Sequence, residues 1–406
     1  MGLLPEVKRD ERPALFWAFV YFFLLLASYY VLRPVRDSLA VGAGVKAVQE
    51  LLAWTFVAML ALVPAYGALC ARLPRARFLP VVYLFFALNL VAFYVEMDAR
   101  VFFVWLNVFN LFAVSVFWSL MSDLFSPGQA KRLFGAIAAG GSCGAITGPA
   151  LTAASTSLLG THNLLLLAAL LLLAALGAML RLFAWGRAHP RKGEPPDEPT
   201  GGSLLAGARA ALTSPYLLAI CGYLFCYTVL STSLYFQQIE IVGREMPSAA
   251  ERTRFFALVD FTVNSLALLV QVFLTARLTE RLGQAWMLAL MPLVSLVGFA
   301  ALGIAPTLLV LLVVGVTRRV GEFAISKPVR EALYTVVSRE DRYKAKGFTD
   351  TVVYRGGDAF SGWAFGLLKA AGWGAGAIAW AAVPVAAAWV ALAAWLGTRY
   401  RERVRT

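Results

Sequence analysis

Apolar residues run through this chain in twelve long blocks separated by short polar gaps. The blocks cover 14–40, 48–69, 78–95, 101–124, 133–155 and 164–185. After a break they resume at 215–238, 255–274, 286–303, 308–337, 347–371 and 375–396. About 20 predominantly apolar residues cross the hydrocarbon of a bilayer as a helix. The pattern therefore predicts an all-α polytopic membrane protein with twelve transmembrane helices, six before the break and six after it. The break holds GRAHPRKGEPPDEPTGGS, rich in proline, glycine and charge, the composition of a flexible linker. The predicted organisation is an N-terminal bundle over 1–185, a cytoplasmic linker over 186–214 with a short surface helix near 204–212, and a C-terminal bundle over 215–406.

Composition agrees with the blocks. The 406 residues are 60% hydrophobic and 15% charged, with mean hydropathy +0.72, far from a soluble domain. The net charge of +13 sits largely in alternate short loops, not on one soluble face, so nucleic acid is not an expected partner. The loop cations orient the chain: most fall on the side of Lys8, Arg9, Arg132, Arg281 and Arg401, which places both termini in the cytoplasm. Before the first block, Lys8, Arg9 and Arg12 are followed by no small-residue cleavage site, so that block reads as a retained span. Cys70, Cys143, Cys221 and Cys226 sit in apolar runs with no zinc or disulfide spacing. His162 and His189 lie in predicted loops without a carboxylate or thiol pattern. No catalytic set, metal or cofactor is expected, and the chain does not read as an enzyme.

The two halves echo each other. GALCARLPRAR (67–77) and TARLTERLGQ (275–284) occupy equivalent loops, with Arg72 and Arg281 in register. Ser126, Gly135 and Gly144 align with Ser338, Gly347 and Gly356 at one common offset. A duplicated six-helix unit, a central linker and paired loop motifs resemble the major facilitator superfamily. The second loop keeps that family's acidic–Arg–x–Gly core as Glu280, Arg281 and Gly283, whereas the first has Ala71 and Pro74 at the corresponding acidic and glycine positions. The resemblance implies two pseudo-symmetric bundles that rock to give alternating access.

Charge inside the spans is the candidate chemistry, because a charged residue at mid-membrane costs about 2.5–3.5 kcal/mol on insertion scales and marks a polar pathway or site. Span one ends in Arg33, Pro34, Val35, Arg36, Asp37, and span ten repeats the sense as Lys327, Pro328, Val329, Arg330, Glu331. Positions i, i+3 and i+4 share a helix face, so each motif is expected to present two cations and a carboxylate together. Arg318, Glu322, Ser326 and Arg330 step by four along one predicted face, as do Asp350, Tyr354 and Asp358, with Arg355 beside them. Asp260, Asn264 and Gln271 add polarity to span eight, and Asn107 and Asn110 to span four. The alternatives are helix-end snorkelling for the cations and helix-to-helix hydrogen bonding for the amides. Seven span cations, Arg33, Arg36, Arg318, Arg319, Lys327, Arg330 and Arg355, face six carboxylates, Asp37, Asp260, Glu322, Glu331, Asp350 and Asp358. That small positive excess favours an anionic small-molecule substrate, and the guanidinium fork suits phosphate oxygens. Tyr29, Tyr30, Trp118 and Tyr354 are available to stack on a planar base.

Four stretches narrow the resemblance: SYYVLRPVRDSL (28–39), FWSLMSDLFSPGQAKRLFGAIAAGGS (117–142), YFQQIEIV (235–242) and TRRVGEFAISKPVREALYTVVSREDRYKAKGFTDTVVYRGGD (317–358). Together they are similar to the ATP/ADP translocases of intracellular bacteria and plastids and their bacterial relatives. The resemblance implies nucleotide exchange across a bacterial inner membrane by a monomer. It puts the family's basic residue of helix one on Arg36, that of helix eleven on Arg355, and its Lys–Glu pair on Arg330 and Glu331. Where the family has acidic residues on helices four and seven, this chain has Leu106, Asn107, Gln237 and Gln238, with Glu240 the nearest carboxylate. The expected substrate site is Arg33, Arg36, Asn107, Asn110, Gln237, Lys327, Arg330 and Arg355. Asp37, Asp260, Arg318, Glu322, Glu331, Asp350 and Asp358 are expected as its ion-pairing and gating groups. A carrier of another phosphorylated or organic anion, or a non-transporting membrane sensor or scaffold, are the alternatives.

Overall fold

The computed structural model describes residues 7–72, 75–189, 209, 211–337, 345–346 and 348–405. Among these, every regular element is helical. We number the helices α1 (12–43), α2 (45–72), α3 (Arg75–Val95), α4 (Ala99–Leu124), α5 (127–159), α6 (161–188), α7 (Pro215–Glu245), α8 (Ala249–Phe273), α9 (Thr275–Ile304), α10 (308–336), α11 (349–370) and α12 (Ala375–Arg405). Eight continuous helical stretches are long and apolar enough to cross a membrane. Two of them are bent back by one glycine each, Gly44 at φ 82° and Gly160 at φ 75°. These left-handed positions suit a residue without Cβ, and each falls in a predicted gap, so each stretch supplies two spans. The last two spans, α10 and α11, escape a simple length criterion because π turns cut them into shorter pieces, Glu322–Ser326 and Thr349–Val353. The twelve-span expectation stands, while α10 and α11 are less regular than their apolar runs suggested. Most of the predicted surface helix and of the linker, and Ser338 and Gly347, lie outside the described residues.

Local sequence explains where helices start and break. Ser126 and Gln129 form a reciprocal capping box ahead of α5, Ser214 caps α7 with Pro215 behind it, and Thr307 caps α10. The loop 275–284 is helical up to Gly283, whose φ of 74° ends that short segment. Pro328 removes the donor that would satisfy the Ala324 carbonyl, and the Thr275 hydroxyl supplies it instead at 2.9 Å.

The chain forms two compact units. One contains Met1–Leu39, Ala61–Glu198 and Pro247–Phe261; the other contains Ala40–Leu60, Pro199–Met246 and Thr262–Thr406. Each thus includes a segment from the opposite half of the sequence. In the first unit, α5 presents Gly140, Gly144 and Gly148 to α1. A Cβ at Gly144 would stand 2.2 Å from the Phe23 carbonyl oxygen, so only small residues permit this contact. Phe22 and Phe117 stack nearly parallel, 4.0 Å apart, in the adjoining core. In the second unit Gly362 and Gly366 of α11 admit Gln49 of α2, which is buried and donates to the Gly362 carbonyl at 2.6 Å.

Candidate functional site: two arginine clusters

In the first unit the cluster is built from α1, α4 and α8. Arg36 donates twice to Asp37, from Nη2 at 2.6 Å and Nε at 3.0 Å, and a third time to Asn107 Oδ1 at 3.3 Å. Asn107 is oriented by its own bond to the Phe103 carbonyl, and the Arg36 guanidinium lies over the Phe103 ring at 5.4 Å. Arg33 turns elsewhere: its Nε is 3.6 Å from Asp260 of α8, a carboxylate only 2% exposed, and its guanidinium lies over Tyr30 at 5.8 Å. Thr152 donates to the Val31 carbonyl one turn before Pro34, securing the backbone where that proline weakens it.

In the second unit α7, α10 and α11 build the other cluster. Glu322 accepts from Arg330 at 3.1 Å, with both side chains buried. In a regular α-helix, residues eight apart are offset by about 80° around the axis, at the edge of a shared face. The π turn at Glu322–Ser326 loops out about one residue, so eight positions act nearly as two turns and Arg330 returns beneath Glu322. Arg330 lies over Tyr227 at 5.9 Å, and Tyr227 adjoins Tyr354. Asp358 accepts from the Thr232 hydroxyl at 2.7 Å and from Arg355 at 3.4 Å, while Arg355 lies over Tyr354 at 5.3 Å.

Arg318 departs from expectation. It is buried, yet it is not in an ion pair among the described residues. It donates instead to Ser295 Oγ at 2.8 Å, the Leu230 carbonyl at 3.2 Å and Ser231 Oγ at 3.2 Å, under the Phe299 ring. Serine and carbonyl oxygens satisfy its donors, so the positive charge itself stays uncompensated by a touching carboxylate.

The shared faces expected for Lys327, Arg330 and Glu331 are not formed. Arg330 is buried against Glu322, Lys327 is exposed, and Glu331 pairs with Lys346 at 2.6 Å on the surface. The first motif also splits, since Arg33 and Arg36 take different carboxylates. Asp350 is exposed and makes no ion pair among the described residues, although Lys346, Arg330 and Lys327 lie within its electrostatic reach. Asn110 is half-buried on α4. Gln237 is wholly buried on α7, and neither of its amide atoms finds a hydrogen-bond partner among the described residues. Sequence reading missed Ser231, Ser295 and Thr232 as partners, and the α7–α11 pair of Glu240 with Lys369 at 2.8 Å. Serine and threonine carry no charge signal, and Lys369 stands at the very end of the apolar block 347–371.

Long helices apolar enough to cross a bilayer, with ion pairs and aromatic-capped arginines set among them, define a polytopic membrane protein. Residues 11–249 match the sequence family described as Major Facilitator Superfamily, and the chain belongs to that superfamily. No curated protein matches it. Among solved structures it is similar to the nucleoside transporter NupG, at 15% identity and TM-score 0.62, covering 98% of this chain and 100% of that one. A bacterial homologue of the iron transporter ferroportin in its inward-facing state gives 15% and 0.66, over 97% and 98%. The human organic anion transporter MFSD10 gives 17% and 0.60, over 95% and 100%. These likenesses establish the fold.

Proposed function

We propose that the chain is an inner-membrane carrier of phosphorylated anions of the nucleotide class, exchanging ATP and ADP by rocking alternating access, as a monomer with both termini cytoplasmic. One observation carries the reading. Arg33, Arg36, Arg318, Arg330 and Arg355 each lie over an aromatic ring, and among the described residues four of them pair with Asp260, Asp37, Glu322 and Asp358 while Arg318 has no ion pair. Guanidinium groups desolvated in this way and one carboxylate short favour a multivalent anion, and their forks match phosphate oxygens. In this proposal Arg33, Arg36, Lys327, Arg330 and Arg355 take the phosphates, Asn107, Asn110 and Gln237 offer amides to the base and sugar, and the carboxylates hold the arginines when no substrate is bound. The similarity of SYYVLRPVRDSL and KPVRE to the ATP/ADP translocases supports the nucleotide class.

A second reading, a carrier of another phosphorylated or organic anion, is favoured by Leu106, Asn107, Gln237 and Gln238 at the positions where that family has acidic residues. The structural neighbours do not decide, since their printed substrates range from nucleosides to iron and organic anions. Uptake of labelled ATP and ADP by purified chain in proteoliposomes tests the proposal. Saturable uptake that unlabelled nucleotide competes away is expected. Absence of saturable uptake, with and without internal nucleotide, would sink it, and a competition panel of unlabelled anions separates the second reading.

A further inference from the structure

α9 and α12 run antiparallel with two close approaches. A Cβ at Gly397 would come within 2.6 Å of the Ala285 Cβ, and one at Gly376 within 3.0 Å of the Gly303 carbonyl. Along α9 the two points are roughly 27 Å apart at 1.5 Å per residue, close to the ~30 Å of bilayer hydrocarbon. Exposed tryptophans mark the Gly397 end, Trp286 on α9 and Trp395 on α12, where their amphipathic rings suit the headgroup boundary.

Beyond that boundary both helices become basic. α12 continues through Arg399, Arg401 and Arg403. On α9 the short segment ended by Gly283 carries Arg277 and Arg281, both exposed. Glu280 and Glu402 are the only carboxylates among these described turns. Glu402 is taken by Arg399 at 2.8 Å, and Arg403 lies over Tyr216 at 4.6 Å. Arg401 donates from Nε to the Gly397 carbonyl at 3.3 Å, at the helix crossing itself. None of Arg277, Arg281 and Arg401 has a carboxylate partner among the described residues. Unpaired arginines beside exposed tryptophans, at the end of a hydrocarbon-length helix pair, match the chemistry of a membrane-bound phosphate.

We propose that this end of α9 and α12 binds the headgroup of an anionic phospholipid, with Arg281 and Arg401 on the phosphate and Trp286 and Trp395 flanking the upper acyl chains. The site is separate from both arginine clusters and does not depend on what the transporter carries.

The test uses the purified full-length chain in detergent, with phosphatidylglycerol or phosphatidylcholine added. Phosphatidylglycerol is expected to raise Tm about 3 °C more than phosphatidylcholine and to be retained in native mass spectra. R281Q/R401Q should lose that preference, whereas R254Q, which removes one charge at an exposed position of α8 as R401Q does on α12, should keep it. Inorganic phosphate alone should give no rise. R401Q alone provides a second reading through the retained lipid, which should fall. Equal stabilisation by the two lipids, full preference in R281Q/R401Q, loss of it in R254Q, undiminished retention in R401Q, or a matching gain from inorganic phosphate would each overturn the proposal.

Discussion

The Glu322–Arg330 pair offers the sharpest test of the second cluster. Glu322→Gln preserves size and one acceptor but removes the charge that Arg330 meets at 3.1 Å. Both side chains are buried, and breaking a buried pair from one side typically costs about 3–5 kcal/mol, because the remaining charge stays desolvated. At about 2.1 cal/mol/K per residue over a chain of this length, that is a fall in Tm of roughly 5 °C. Removing both charges, as in E322Q/R330M, leaves no orphan and should recover most of the loss, a coupling of at least ~2 kcal/mol. Thermal unfolding of wild type, both single variants and the double variant in one detergent measures the cycle. Under the proposed function the double variant is stable yet transports poorly, since Arg330 is a phosphate ligand. Additive losses, or a drop below about 1 °C for E322Q, would refute a π turn that brings these groups into a working pair.

Three further outcomes follow from other contacts. Gly144→Val places side-chain atoms against the Phe23 backbone, where no rotamer change relieves the 2.2 Å clash, and should cost about 1–3 kcal/mol, visible as a lowered Tm. Thr275→Val deprives the Ala324 carbonyl of its donor; a loss of about 1 kcal/mol is expected, and none should appear once Pro328→Ala restores a backbone donor. Glu11 accepts from Arg132, the largest cause, and from Gln129 and the Lys8 amide, which together lower its pKa from 4.5 to about 2. A depressed folded pKa stabilises above the unfolded value and is lost as pH falls. The Tm advantage of wild type over E11Q should hold above about pH 5 and shrink between pH 4.5 and 2. An advantage that grows on acidification would contradict that sign.

The spans were legible because hydrocarbon thickness imposes length on apolar runs, and the turns at Gly44 and Gly160 fell in the predicted gaps. The charged residues were legible too, since charge inside apolar blocks stands out. Their pairings were not. Arg33 reaches a carboxylate on α8, far away in sequence, and although Glu322 and Arg330 share the predicted polar stripe, the π turn that stacks one beneath the other is not anticipated by ideal 3.6-residue periodicity. The reading of Arg318 as an ion-pairing group failed because charge counting overlooks hydroxyl and carbonyl acceptors, which satisfy a guanidinium without neutralising it.

The exchange of segments between the two units bears on how the chain is made. The unit that contains Arg33 also includes Pro247–Phe261, so Arg33 has no Asp260 until more than two hundred further residues have left the ribosome. At about 5–20 residues per second, an arginine already delivered to the bilayer waits tens of seconds for its counter-charge. Biogenesis of this transporter therefore passes through a half-made stage whose exposed cation must be sheltered by water, lipid phosphate or the insertion machinery.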